Sequence, residues 1–101
     1  MKLHKDEASL KKMPVFELTP WHAFENVLAV LHMGAKKHGL GNWQRGRGDL
    51  ASIAAIRNSL ARHMLEYGLG QRIDPESGLP ILAHLICNAM FLLEIDVEVK
   101  K

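Results

Sequence analysis

The sequence predicts an all-α protein: a small helical bundle of three main helices, completed by self-association. Three observations predict it. Apolar residues recur at spacings of three and four in three separate stretches, the connections between those stretches are rich in glycine, proline and other turn formers, and no apolar alternation is long enough to build a sheet. With 101 residues, 48% of them hydrophobic, the chain is one compact domain with enough apolar side chains to fill a core. A second independent domain is excluded.

Residues 1–13 carry Lys2, Lys5, Lys11 and Lys12 with Asp6 and Glu7 among scattered apolar residues. Such a stretch buries little surface against its ordering entropy, so it reads as a flexible arm, and residues 14–101 as the single helical domain. Thr19 is a good N-cap and Pro20 suits a first helical position, where its missing amide would be an orphan anyway. From there Trp21, Phe24, Val27, Leu28 and Leu31 form one face of a helix that should stop by Gly39. Residues 39–48, GLGNWQRGRG, read as a loop.

Asp49 can cap a second helix from Leu50 to about Tyr67. Its apolar line is Ile53, Ile56, Leu60, Met64 and Tyr67, and Gly68 with Gly70 supplies the stop. A second turn-rich connection, LGQRIDPESGLP, leads to a third helix opened by Pro80. In that helix Ile81, Leu82, Leu85, Ile86, Ala89, Met90, Phe91, Leu92, Leu93 and Ile95 cover more than one face. A helix apolar nearly all round must be enclosed, and two other helices with one stripe each are too few to enclose it. Self-association is the simplest remedy. The end of the chain, from Glu94, alternates acids with Ile and Val and could fray or pair.

The charge balance, 13 basic against 11 acidic residues, gives a formal charge of +2, so neither an acidic tail nor a polycation is present and no nucleic-acid polymer is expected as a partner. The single cysteine, Cys87, has no partner for a disulfide within one copy, which fits a reducing cytoplasm. No apolar run reaches the roughly 20 residues that span a bilayer, and the first residues lack the apolar core of a secretory signal. The expectation is a soluble cytoplasmic protein with no membrane partner.

Four groups of residues could carry chemistry. His84 and Asn88, four apart, share one face of the most apolar helix. They either bond a neighbouring helix and fix its register or line a ligand pocket. On the second helix Arg62, His63 and Glu66 cluster at the edge of the buried stripe. Arg62 and Glu66 are spaced for an i,i+4 pair, and a functional role for His63 depends on its facing His84. The turn DPESG, residues 74–78, places Asp74, Glu76, Ser77 and Gly78 before the third helix. There they serve as caps, or Ser77 and Gly78 admit a phosphate to free amides while Asp74 and Glu76 hold a hard cation such as magnesium. Finally Lys36, Lys37, Arg45 and Arg47 surround His38 and Trp43 with no acid between them. This basic stretch could pair with phosphate and stack a base, or be a solvated loop. A paired-carboxylate magnesium helix, a phosphate loop of Gly-Lys-Ser/Thr type, a zinc cysteine pair and a serine with a recognisable base are all missing.

These segments occur in a recognisable order: GAKKHGLGNW at 34–43, ARH at 61–63 and IDPESGLPILAHLICNAMFLLE at 73–94. Together, over residues 14–95, they resemble the small helical N-terminal domain of bacteriophage dATP/dGTP diphosphohydrolases, whose relatives have MazG-like helical folds. The positions that match the family pattern are Lys37, Asn42, Trp43, Arg62, His63, Asp74, Glu76, Ser77, Gly78, His84 and Asn88. His38 stands where the family usually has Tyr, and Ile81 where a His commonly precedes the leucine, which removes one potential ligand or acid. The chain ends just after the third helix, so an activity supplied by a further segment is expected to be absent.

The resemblance implies a purine (deoxy)nucleotide as ligand, hydrolysis between phosphates with magnesium, assembly as a dimer or tetramer and, for a phage protein, the host cytoplasm. As an enzyme, the chain would use His63 or His84 on a water, Asp74 and Glu76 for the metal, and Lys37 and Arg62 against phosphate charge. Asn42, Trp43, Ser77, Gly78 and Asn88 complete the nucleotide site. The alternative is a non-catalytic oligomeric sponge that sequesters a cyclic or linear nucleotide signal of antiviral defence. A third reading, a structural partner whose polar residues set helix register, assigns them no chemistry.

Overall fold

The computed structural model describes residues 11–39 and 49–99, and shows an all-α chain. Most of the expected N-terminal arm and all of residues 40–48, with Asn42, Trp43, Arg45 and Arg47, lie outside the described residues. Among the described residues there are four helices: a short α1 (Val15–Leu18), α2 (Trp21–His38), α3 (Leu50–Gly68) and α4 (Ile81–Val99). No helix among them is long and apolar enough to cross a membrane.

The helix ends follow local chemistry, with one displacement. The Asp49 carboxylate accepts from the Ala51 amide at 3.2 Å and from the Ser52 hydroxyl at 3.1 Å, so it caps α3 as its residue type predicts. Gly39 (φ 95°) closes α2 and Gly70 (φ 99°) follows α3, both in left-handed conformations open to glycine. Thr19, however, does not cap α2. Its hydroxyl donates back to the Val15 carbonyl at 2.6 Å, and Pro20 takes the cap position with no side-chain bond. The cause is α1, which no apolar spacing announces: the Trp21 indole donates to the Phe16 carbonyl at 3.0 Å, and the two rings lie 5.1 Å apart. Those contacts fold the preceding turn back against the start of α2.

α4 packs on both α2 and α3. Val27 and Val30 of α2 meet Ala83 and Cys87 of α4, with Leu31 and Leu79 closing the edges of this small core. Ala83 matters because its single methyl lets the two backbones approach, and the Cys87 thiol donates to the Val27 carbonyl at 3.5 Å. Burial pushes that thiol up to about 11, so Cys87 is an inert packing group rather than a nucleophile.

One expectation for α4 is corrected. Its end does not fray or pair as a strand but stays helical through Val99, because Ile95 is buried and continues the apolar spacing past Glu94 and Asp96. Two other helices with one stripe each are indeed too few to enclose α4: Leu82, Ile86, Met90, Leu93 and Val97 remain exposed.

Asp49→Ala should cost about 1 kcal/mol of stability, the typical value of an N-cap. Denaturant unfolding followed by circular dichroism checks this, and Asp49→Asn should recover most of the loss.

Candidate nucleotide site

The turn between α3 and α4 sets the site. Ile73 and Pro80 form an isolated antiparallel bridge, and the Asp74 amide donates to the Leu79 carbonyl at 2.8 Å. Gly78 holds φ at 74°, which permits the reversal, and its amide donates to the Asp74 carbonyl at 2.7 Å. The Asp74 carboxylate accepts from the Ser77 amide at 2.9 Å, and the Ser77 hydroxyl accepts from the Leu79 amide at 3.1 Å. The amides of Ser77 and Gly78 are thus committed inside the turn rather than free for an anion. Neither residue lines the cleft described below.

Ser77 instead positions His84, one turn into α4. Its Oγ lies 2.8 Å from His84 Nε2, and Asp74 Oδ2 lies 3.8 Å from the same nitrogen. This is not a nucleophilic triad, in which the carboxylate must hold the far nitrogen of the imidazole. Burial pushes the His84 pKa below its ordinary value, against the raising pull of Asp74, so the ring favours the neutral form. Burial alone would raise Asp74, but its hydrogen bonds from Ser77, helped by the nearby imidazoles of His84 and His63, leave its pKa below the usual carboxylate value.

Across the helix interface His84 meets His63 of α3, with ring centroids 5.2 Å apart and planes 32° from parallel. His63 is buried, 8% exposed, and its Nδ1 lies 2.9 Å from Glu66 Oε1, one turn further along the same face. The expected Arg62–Glu66 pair is therefore not made. Glu66 turns to the inner-facing histidine, because a buried imidazole needs a hydrogen-bond partner more than an exposed guanidinium does. Arg62 has no ion-pair partner among the described residues.

These groups face one cleft of about 660 Å³, within the range of small-molecule sites. The C-terminal half of α2 forms one wall, with Val30, Leu31, Met33, Gly34, Lys37 and His38. Ser59, Arg62, His63 and Glu66 line it from α3, Asp74 and Glu76 from the turn, and His84, Cys87, Asn88 and Phe91 from α4. At its mouth Lys37 Nζ and Glu76 Oε1 pair at 2.7 Å, which raises the lysine pKa and lowers that of the glutamate. A Cβ built on Gly34 would meet no described atom within 4 Å, so no packing among the described residues requires a glycine there. The floor of the cleft is bare backbone at that point.

The cleft brings together Lys37, Arg62, His63, Asp74, Glu76, His84 and Asn88. The sequence singles out Glu66 only as an i,i+4 pair for Arg62, and Ser59 not at all. Their signal is a polar line on one face of α3, in which Ser59, Arg62, His63 and Glu66 recur at helical spacings. Among the described residues no group of three or more His, Cys, Asp or Glu is arranged to hold a metal ion.

Residues 3–101 match the family described as dATP/dGTP diphosphohydrolase, N-terminal. The chain belongs to that family. No curated protein and no solved structure matches it. Membership in the dATP/dGTP diphosphohydrolase N-terminal family supports a nucleotide-related role for the domain.

The depressed pKa of His84 has a stability consequence. The unfolded chain binds a proton at the ordinary imidazole pKa while the folded chain resists it, so stability is full above that pKa and falls as pH drops through the window beneath it. Stability measured against pH should decline on the acid side of 6.5, the ordinary imidazole pKa. His84→Gln, which cannot take the proton, should flatten that part of the curve.

Proposed function

We propose that the cleft binds a purine (deoxy)nucleotide, with its phosphates on Lys37 and Arg62 and its base toward the apolar wall of Val30, Leu31 and Phe91. The observation that carries this reading is the pair of apposed histidines, His63 and His84, in one open cleft beside Arg62, which has no ion-pair partner among the described residues. A guanidinium suits phosphate oxygens, which it can meet with two parallel hydrogen bonds. Asn88 supplies an amide to the same space, and Gly34 lets a flat ring approach the α2 backbone.

In the hydrolytic form of this reading His63 is the general base. Glu66 accepting from Nδ1–H fixes the tautomer that leaves Nε2 with a lone pair, and that nitrogen takes the proton of a water attacking a phosphorus as the bond from that phosphorus to the bridging oxygen breaks and the electron pair leaves with the departing phosphate or pyrophosphate. His84, whose Nε2 is engaged with Ser77, is the less available base and instead backs His63 across the interface. Magnesium fits only as an ion shared with the ligand, since it commonly takes one or two carboxylates with phosphates and water. Asp74 and Glu76, both lining the cleft, are the carboxylates that would hold it, and its contribution there would be to neutralise phosphate charge.

A second reading, capture of a nucleotide signal without cleavage, is favoured by the absence of a three-ligand metal group among the described residues. One experiment separates the two. Purified protein is incubated with dATP, dGTP, ribonucleotides and cyclic nucleotides, with and without magnesium, and both retained ligand and released product are scored. Turnover lost in His63→Ala but with retention intact supports the enzyme, whereas retention of intact ligand by the wild type supports capture. Arg62→Ala should weaken retention at least tenfold in either case, and no retention and no turnover across the panel would defeat both. Gly34→Ala should raise stability by about 0.5–1 kcal/mol, as for any open helical glycine, while weakening nucleotide retention. Calorimetric melting and equilibrium binding on the same preparation check the two halves.

A further inference from the structure

The cleft uses only one side of α4. His84, Cys87, Asn88 and Phe91 face it, and at 3.6 residues per turn the opposite side carries Leu82, Ile86, Ala89, Met90, Leu93 and Val97. These six are exposed, Leu93 to 62% and Val97 to 49%, and run the length of the helix. A continuous apolar stripe of that length is uncommon on a free surface and marks an interaction site.

Two properties of the stripe select its occupant. First, it is symmetric about the midpoint between Ala89 and Met90. Leu82 and Val97 lie equally far on either side, and so do Ile86 and Leu93. Two copies laid antiparallel about that midpoint would set Leu82 level with Val97 of the other copy, and Ile86 level with Leu93, a self-complementary match of the kind a twofold axis requires. Second, charge is confined to one end. The first half of α4 has no acid, while Glu94 and Asp96 stand exposed in the second. Antiparallel pairing places those acids beside the positive N-terminal end of the other copy's helix, near Arg72, whose carbonyl accepts the Ile81 amide. Parallel pairing would instead bring acids against acids.

We infer that a second copy of this chain docks on the exposed α4 stripe, antiparallel, with the twofold axis between Ala89 and Met90 and the two clefts facing outward. The inference does not depend on what the clefts bind. It supplies a specific surface for the self-association that an all-round apolar helix suggests, and leaves each cleft open.

Sedimentation velocity on the full chain over a concentration series should show a dimer. Leu93→Glu and Ile86→Glu, each on an already exposed side chain, should give folded monomers, with helicity unchanged by circular dichroism. The double variant Ile86→Cys/Leu93→Cys should form an intermolecular disulfide on mild oxidation, whereas each single variant should not. In the antiparallel register identical positions seven residues apart lie about 10 Å from level, beyond the roughly 4.4–6.8 Å Cα separation that a disulfide spans. A strict monomer, a dimer that survives both glutamates, or efficient crosslinking by Ile86→Cys alone would each overturn the inference. Nucleotide retention measured on the monomeric variants separates this result from the reading of the cleft, since loss of the dimer with retention preserved is the expected pattern.

Discussion

The seat of His84 is the constraint on which the rest of the site depends. An imidazole on the most apolar helix of the chain must be hydrogen-bonded or it opposes folding. The partner is Ser77 Oγ, and that hydroxyl is held in place by the Leu79 amide inside a turn closed by the Ile73–Pro80 bridge. The turn in turn needs Gly78 at positive φ and the Asp74 carboxylate on the Ser77 amide. A five-residue motif that reads as a phosphate loop or a simple cap is therefore a mount. It aims one histidine at His63, which Glu66 aims from the other side.

α4 explains why a domain this small carries a site at all. Its inner flank builds the core with Val27 and Val30 through the small residues Ala83 and Cys87, its upper flank contributes the polar side of the cleft, and its outer flank is greasy and open. A single helix serving three surfaces must be apolar nearly all round. The same composition that suggests a buried helix here reflects three separate demands, one of which the described residues do not meet. Stability of so small a core is correspondingly modest, and covering the outer stripe would add to it.

The sequence made the helices legible wherever their ends are set locally. Gly39, Asp49 and Gly70 each act through their own backbone or side chain, and each bounds a helix where its chemistry says it should. Thr19 misled because its cap role competed with a nonlocal fact, the docking of Phe16 on Trp21, which redirected the hydroxyl. In the site the same division holds. The residue types of Lys37, Arg62, His63, Asp74, His84 and Asn88 marked them as candidates, but their convergence on one cleft is tertiary. The Lys37–Glu76 pair joins positions 39 apart in the chain, and no periodicity encodes it. Glu66 was assigned to Arg62 by spacing, and only burial of His63 decides that the shorter i,i+3 reach wins.

Charge decides how such a cleft could accept a polyanion. Its carboxylates Glu66, Asp74 and Glu76 oppose a phosphate, and two of them are occupied: Glu66 by His63, Asp74 by Ser77. The third, Glu76, holds Lys37 at an exposed mouth, where an ion pair contributes little to stability because water and salt screen both partners. On the proposed reading, exchanging that glutamate for a phosphate costs the fold almost nothing, while the phosphate gains the lysine and Arg62, which has no ion-pair partner among the described residues. On that reading the pair at the mouth keeps Lys37 oriented in the free protein and would yield it to a more highly charged partner. The inner pairs stay intact, since breaking either would strand a partly buried polar group.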